Sequence, residues 1–415
     1  MKRLMRKTAA EAKTNTSPFD KLLLLPPAEF SSLLEILVRA VFLLTLLNFC
    51  FVHGQVYDVL QFGAKGDGTT DDSKAFVEAW KAMCGSGGSN KTLLIPSNNT
   101  FLLQPLVFQG PCNSASVQVE FKGKIVAPIN KAAWSDYKSY EWVSFKQIIG
   151  LTVNGSGTIN GRGSSFWKQL HFDGCNHLKI MGITSFDSPR NHISICDCIN
   201  VKITQIKLFA PDDSPNTDGI NISKSRDVKI NDTVIGTGDD CVAISSGSVN
   251  INITRMNCGP GHGISVGSLG QDGEESIVEN VQVTNCTFNR TDNGARIKTW
   301  LNGKGYARNI VFEDIQLNET KNPIIIDQKY MEKGRQGVEE SAVAISNVTF
   351  TDIHGTSRQG EIIKLDCSEV TSCKDIVLDR INITTVDGSK PVFECINVYG
   401  KSSNATEVDG CLKTE

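Results

Sequence analysis

The sequence predicts an all-β chain wound as a right-handed parallel β-helix, a solenoid closed at its N-terminal end by a short capping helix. Apolar residues recur at i, i+2, i+5 and often i+7: Val201, Ile203, Ile206 and Leu208; Val281, Val283, Cys286 and Phe288; Ile310, Phe312, Ile315 and Leu317; Ile376, Leu378, Ile381 and Ile383. Two alternating pairs separated by an extra polar residue read as two short strands meeting at a corner, each apolar side chain turned inward. The units return every 21 to 38 residues, counting shorter versions at Val228/Ile230, Val249/Ile251 and Val348/Phe350. Self-similarity at that period, with β-branched strands and Asn/Gly turns, marks coils that stack to bury a continuous core. An immunoglobulin-like sandwich would instead show hairpin turns about every 8 to 12 residues.

Residues 1–36 are polar and irregular apart from a KLLLL patch. Residues 40–52, AVFLLTLLNFCFV, form a run of 13 without charge. That length matches a secretory h-region and falls short of the roughly 20 residues needed to span a bilayer. Val52-x-Gly54 offers small-residue cleavage before Gln55. We therefore expect residues 1–54 to be an extension with a signal-like segment, no stable membrane span, and residues 55–415 to be one β-helix domain. Residues 72–84 supply the cap, since Ala75, Phe76, Ala79, Trp80 and Met83 form an apolar stripe at helical spacing. The domain is long for a globular unit, which a solenoid tolerates because each coil contacts only its neighbours. Thirteen cysteines occur, and losing Cys50 with the signal leaves an even number, as an exported chain would have. Cys286, at an inward position, reads as a buried free thiol. Twelve N-x-S/T sequons after residue 54 fit a secreted glycoprotein. A net charge of −3 without a long basic run argues against nucleic acid as a partner.

The chemistry sits in four blocks: SPNTDGI at 214–220, GTGDDC at 236–241, GPGHGISVGSLG at 259–270 and ARIKTW at 295–300. Cleaving a glycosidic bond by acid assistance needs one carboxyl to protonate the leaving oxygen and another, ionised, to activate water. Asp218, Asp239 and Asp240 are the candidates. Adjacent residues on a regular strand point to opposite faces, so Asp239 and Asp240 share a cleft only if the backbone bends, which Gly236 and Gly238 permit. Arg296 and Lys298, two apart, fall on one face of a strand with Ile297 toward the core, a suitable clamp for uronate carboxylates. His262, between two glycines, sits where backbone approaches a ligand closely. Taken singly, each block is ordinary turn chemistry or a solvated strand face; the conjunction in fixed order is what points to a site.

That order, spacing and punctuation resemble the polygalacturonases, the plant-type pectinases of glycoside hydrolase family 28, from about Tyr57 to the C-terminus. The resemblance implies the same β-helix. It also implies hydrolysis of α-1,4 bonds between galacturonates in de-esterified pectin (homogalacturonan), with inversion. Asp239 matches the general acid, Asp218 and Asp240 the pair that positions and activates water, and His262 the histidine that assists the acid. Arg296 and Lys298 match the substrate carboxylate clamp, Tyr330 a tyrosine lining the cleaved subsite, and Asn216, in the first block, a substrate-binding position. Cys241/Cys258 match the disulfide beside the active site, and Cys367/Cys373 and Cys395/Cys411 the C-terminal ones. Two departures stand out: QKYMEKGRQGVEE lacks the cysteines that usually follow the tyrosine, and FDSPRNH has Asp187 where Asn is usual. The expected protein is a secreted, extracellular or cell-wall monomer acting on a pectic polysaccharide, with no cofactor and no metal. A pectate lyase would share the β-helix but use Ca²⁺. The alternatives kept open are a hydrolase of a related backbone, rhamnogalacturonan or xylogalacturonan, and a non-catalytic pectin-binding wall protein.

Overall fold

The computed structural model describes residues 54–130, 141–163, 169–330, 341–404 and 410–414, with Glu35, Val38, Arg39 and Val41. The chain divides into two units, Met1–Gly54 and Gln55–Glu415. Apart from Val41 and Gly54, the expected h-region and cleavage site lie outside the described residues, as does the stretch after Tyr330. No helix among the described residues is long and apolar enough to cross a membrane.

Gln55–Glu415 is a parallel β-helix. All its named strand pairs are parallel, each strand bonding to the corresponding strand one coil away. Among the described residues one face is an eleven-stranded sheet, and nineteen strands form the rest of the wall. In the earlier coils that wall is two short strands per turn, such as Ile199–Thr204 and Lys207–Phe209; from Arg226–Gly236 onward they run together as one bent strand. The bend is the expected corner. Its polar residue takes the left-handed backbone region in coil after coil: Gln205 (φ 54°), Asp232 (55°), Asn285 (52°), Asp314 (54°) and Arg380 (49°). That turn splits the period-two alternation into two pairs and lets both point inward.

The inward residues form stacks. Val201, Val228, Ile251, Val281, Ile310, Val348 and Ile376 are in register, all essentially buried. One sequence pairing is corrected here. Val249 is half-buried and outside this stack; the inward pairs of its coil are Ile251/Ile253 and Met256/Cys258. Two shorter versions are full units in disguise, because Thr233 and Gly355 hold positions where apolar residues were sought, and the third is a full unit that begins at Ile251. Outside the same wall a side-chain ladder runs along the axis. Asn347 donates to Asn309 (2.8 Å), Asn309 to Asn280 (2.9 Å), Asn280 to Asn250 (3.0 Å) and Asn250 to Asp227 (2.9 Å). All five have positive φ, which Asn and Asp tolerate better than other non-glycine residues.

Helix α1 (Ser73–Gly85) buries Ala75, Phe76, Ala79, Trp80 and Met83. Trp80 covers the top of an aromatic stack, with its ring centroid 5.0 Å from Phe108 and 5.9 Å from Phe145; Phe145 stacks on Phe172 at 5.2 Å. Its indole N–H donates to Gln109 O at 3.0 Å, so the large ring is buried without an unsatisfied polar group. Cys84, at the end of α1, bonds to Cys112, a pair the sequence reading did not single out. Cys367 bonds to Cys373 and Cys395 to Cys411. Cys286 is a buried free thiol, as are Cys175 and Cys198.

Candidate active site

Register explains why the four blocks meet. Ile220, Val242, Ile264 and Ala295 are consecutive partners in the eleven-stranded sheet. Asp218, Asp240, His262 and Asn293 each precede one of them by two residues, so they form a row along the groove at the coil spacing of about 4.8 Å. Arg296 and Lys298 follow Ala295 on the same strand, Asn293–Trp300, with Ile297 fully buried between them. Asp239 and Asp240 occupy the turn between strands Arg226–Gly236 and Val242–Ile244. Gly238 makes that turn possible: a Cβ there would lie 2.1 Å from Ser214 O, a distance only glycine avoids. Cys241, immediately after the pair, is bonded to Cys258 in the next coil, which ties down the turn.

The three carboxyls live in different environments. Asp240 is buried and saturated with donors: Arg296 Nη2 at 2.6 Å and Ser265 Oγ at 2.8 Å on Oδ1, Lys298 Nζ at 3.0 Å on Oδ2. Burial works against its ionisation, but Arg296 and Lys298 outweigh it and hold the carboxyl below its ordinary value. Among the described residues, Asn221 Nδ2, at 3.3 Å, is the side-chain donor to Asp218. Burial, then the charges of Asp239 and Asp240, push it up to about 7. Asp239 accepts the N–H of Asp240 at 2.8 Å and faces Nδ1 of His262 at 2.9 Å. That bond raises the histidine above its ordinary value against the effect of burial. His262 is further fixed through its backbone, its N–H donating to Asp239 O at 2.8 Å and its carbonyl accepting from Asn293 Nδ2 at 3.1 Å.

Of the other expected residues, Tyr330 ends strand Asn322–Tyr330 beside the clamp, its ring 5.2 Å from Lys298 Nζ and edge-on to Trp300 at 5.6 Å. Asn216 is exposed in the turn before Asp218, at φ 55°, and makes none of the cluster's hydrogen bonds. A cleft of about 700 Å³ is lined by Arg162, Asp187, Ser188, Ser214 and Thr217, the residue before Asp218, among others. Sequence reasoning missed Ser265, Asn221, Asp292 and Arg358. Ser265 stands in the GHGISVG block at the register of Arg296, so counting strand partners would have found it; Arg358 lies too far along the chain for any local signal. Asp239, Asp240 and His262 offer donor atoms within 4.8 Å of one another. Both oxygens of Asp240 are already matched by protein cations, so the cluster is suited to handling protons.

Comparison with known proteins identifies the family. The profile described as glycosyl hydrolases family 28 matches residues 84–406. The chain belongs to that family. It is thus a glycoside hydrolase by descent, and its relatives are close: a probable polygalacturonase of Arabidopsis thaliana is 47% identical over 376 residues, covering 88% of this chain and 82% of the relative. A polygalacturonase of Malus domestica is 41% identical, covering 78% and 73%. Among solved structures, the family fold recurs in the endo-xylogalacturonan hydrolase of Aspergillus tubingensis, with a TM-score of 0.72 at 25% identity, covering 84% of this chain and 99% of that one. The hyperthermoactive exopolygalacturonase of Thermotoga maritima shares the fold at a TM-score of 0.69 and 21% identity, covering 80% and 88%.

Proposed function

We propose that this family 28 hydrolase is a polygalacturonase that cuts α-1,4 bonds between galacturonates in de-esterified pectin with inversion, Gln55–Glu415 being its catalytic domain. The observation that carries the reading is the division of three neighbouring carboxyls into three states in one groove. Asp240 is ionised by two cations, Asp218 has a raised proton affinity, and Asp239 is bonded to a histidine. In this reading Asp239, resupplied through His262, gives its proton to the leaving oxygen while Asp218 and Asp240 hold the attacking water. Arg296 and Lys298 are shared between Asp240 and the uronate carboxylate, so substrate draws on cations already in place and pre-oriented. The proton affinity of Asp218 favours a second assignment, in which Asp218 is the acid. The protein is proposed to be a secreted, wall-located monomer; four disulfides support an oxidising compartment.

Polygalacturonate incubated with the protein in excess chelator should yield saturated oligogalacturonates, because hydrolysis adds water across the bond. An unsaturated uronate product, or arrest by the chelator, would make the protein a lyase, and an uncut polymer would make it a binding protein. Faster cleavage of xylogalacturonan or rhamnogalacturonan would reassign the backbone.

A further inference from the structure

His262 has a carboxylate at each edge of its ring. Nδ1 is 2.9 Å from Asp239 Oδ1, and Nε2 is 3.7 Å from Asp292 Oδ2. Asp292 is itself held from beyond: Arg358 Nη2 lies 3.3 Å from its other oxygen, Oδ1, and donates to Thr291 O at 3.1 Å. Arg358 directly follows strand Ala344–Ser357, and its backbone N–H donates to Thr320 O at 3.0 Å. Successive coils thus converge on one carboxylate at the rim of the groove.

We propose that Asp292, tethered by Arg358, is a positioning residue of the hydrolytic site that holds the imidazole of His262 with Nδ1 turned to Asp239. Its catalytic consequence rests on the polygalacturonase reading. A neutral imidazole has one N–H and one lone pair, so it satisfies one carboxylate and presents a lone pair to the other. Only the imidazolium turns an N–H to both carboxylates, hydrogen-bonded to Asp239 and paired by charge with Asp292 at 3.7 Å. Two flanking carboxylates therefore fix the ring's orientation and favour its charged form together. The charges facing His262 are Asp239 and Asp240 from the preceding coil, Asp292 from the following turn, and Arg296 from the next strand as the opposing cation. Asp239 is the stronger partner because it is hydrogen-bonded and more buried; Asp292, with 47% of its side chain exposed, acts through solvent in the free groove. Substrate lying across the rim displaces that water, and the same separation then carries more weight. The effect of Asp292 is therefore greater in kcat, which reports the occupied site, than in kcat/KM.

The test compares Asp292→Asn and Asp292→Glu with the wild type. In Asp292→Asn, kcat on polygalacturonate should stay within about twofold of wild type on the acid limb and fall roughly three- to fivefold behind on the alkaline limb. Asp292→Glu, which keeps the charge, should hold that limb. Imidazole NMR of the free proteins gives a readout that needs no substrate: the midpoint of the His262 resonance should move to lower pH in Asp292→Asn and remain in Asp292→Glu. A fall in kcat of equal size at every pH, equal shifts in both variants, or an unmoved His262 midpoint would overturn the proposal. Failure of wild type to cut polygalacturonate would instead overturn the substrate reading and leave the NMR arm to decide the role of Asp292.

Discussion

At the scale of single residues, the prediction with the sharpest outcome concerns Asp239 and Asp218. Asp239→Asn keeps the shape, and its side-chain oxygen can still accept from His262 and from the N–H of Asp240, so folding should be unchanged while turnover of polymer is lost. A galacturonide with an acidic phenol as leaving group needs no proton; Asp239→Asn should keep most of its rate on that substrate and Asp218→Asn should not. The reverse pattern would make Asp218 the acid. Asp218 also predicts a pH dependence of stability. Its folded carboxyl binds a proton up to about 7, well above the ordinary unfolded value, so the folded state holds a proton the unfolded state has lost. The favourable contribution is full at low pH and declines as pH rises through that window, reaching on the order of 2–4 kcal/mol of lost stability near neutrality. Asp218→Asn should therefore be more stable than wild type at pH 7 and not at pH 4, by denaturant midpoints. The identities of these residues were legible because the blocks keep chemistry and spacing together. What the sequence withheld was their pairing: Arg296 and Lys298, read as a free clamp, also neutralise buried Asp240, a contact made across coils that no local pattern encodes. Removing either cation would leave a buried charge undercompensated as well as weaken substrate binding.

The elements were legible in proportion to how apolar their inward positions are. Coils with four large apolar residues stand out, whereas Thr233 and Gly355 hid two coils, and Val249, half-buried two residues before Ile251, drew the pattern off in a third. Helix α1 was visible because its stripe is aromatic and complete. Its role gives a prediction at this scale. Trp80 seals the end of the aromatic stack, so Trp80→Ala should cost about 3–5 kcal/mol by denaturant unfolding, with KM unchanged, since α1 lies outside the four blocks. A cost below about 1 kcal/mol would mean that the helix covers the core end without closing it.

For the whole molecule, a net charge of −3 offers an acidic polymer no general attraction, so recognition must be local and come from the groove cations. Methyl esterification removes the substrate's half of that interaction without disturbing Asp240, which makes it a cleaner probe than Lys298→Ala. Each charge-assisted bond is worth about 1.5–3 kcal/mol, so kcat/KM should fall at least tenfold from de-esterified to fully methylated pectin, and equal rates would remove the clamp. The spacing between stacked positions ranges from 23 residues, Val228 to Ile251, to 38, Ile310 to Val348, yet the asparagine ladder passes through both steps. Every rung in it points its amide the same way, toward Asp227, the one member that only accepts. The row is polarised like a helix and ends, like one, on an anion facing aligned donors. It also keeps the pitch: coils of different length each return an asparagine to the row. Coil length in this architecture can thus vary while the stacking of the solenoid is held constant from outside the core.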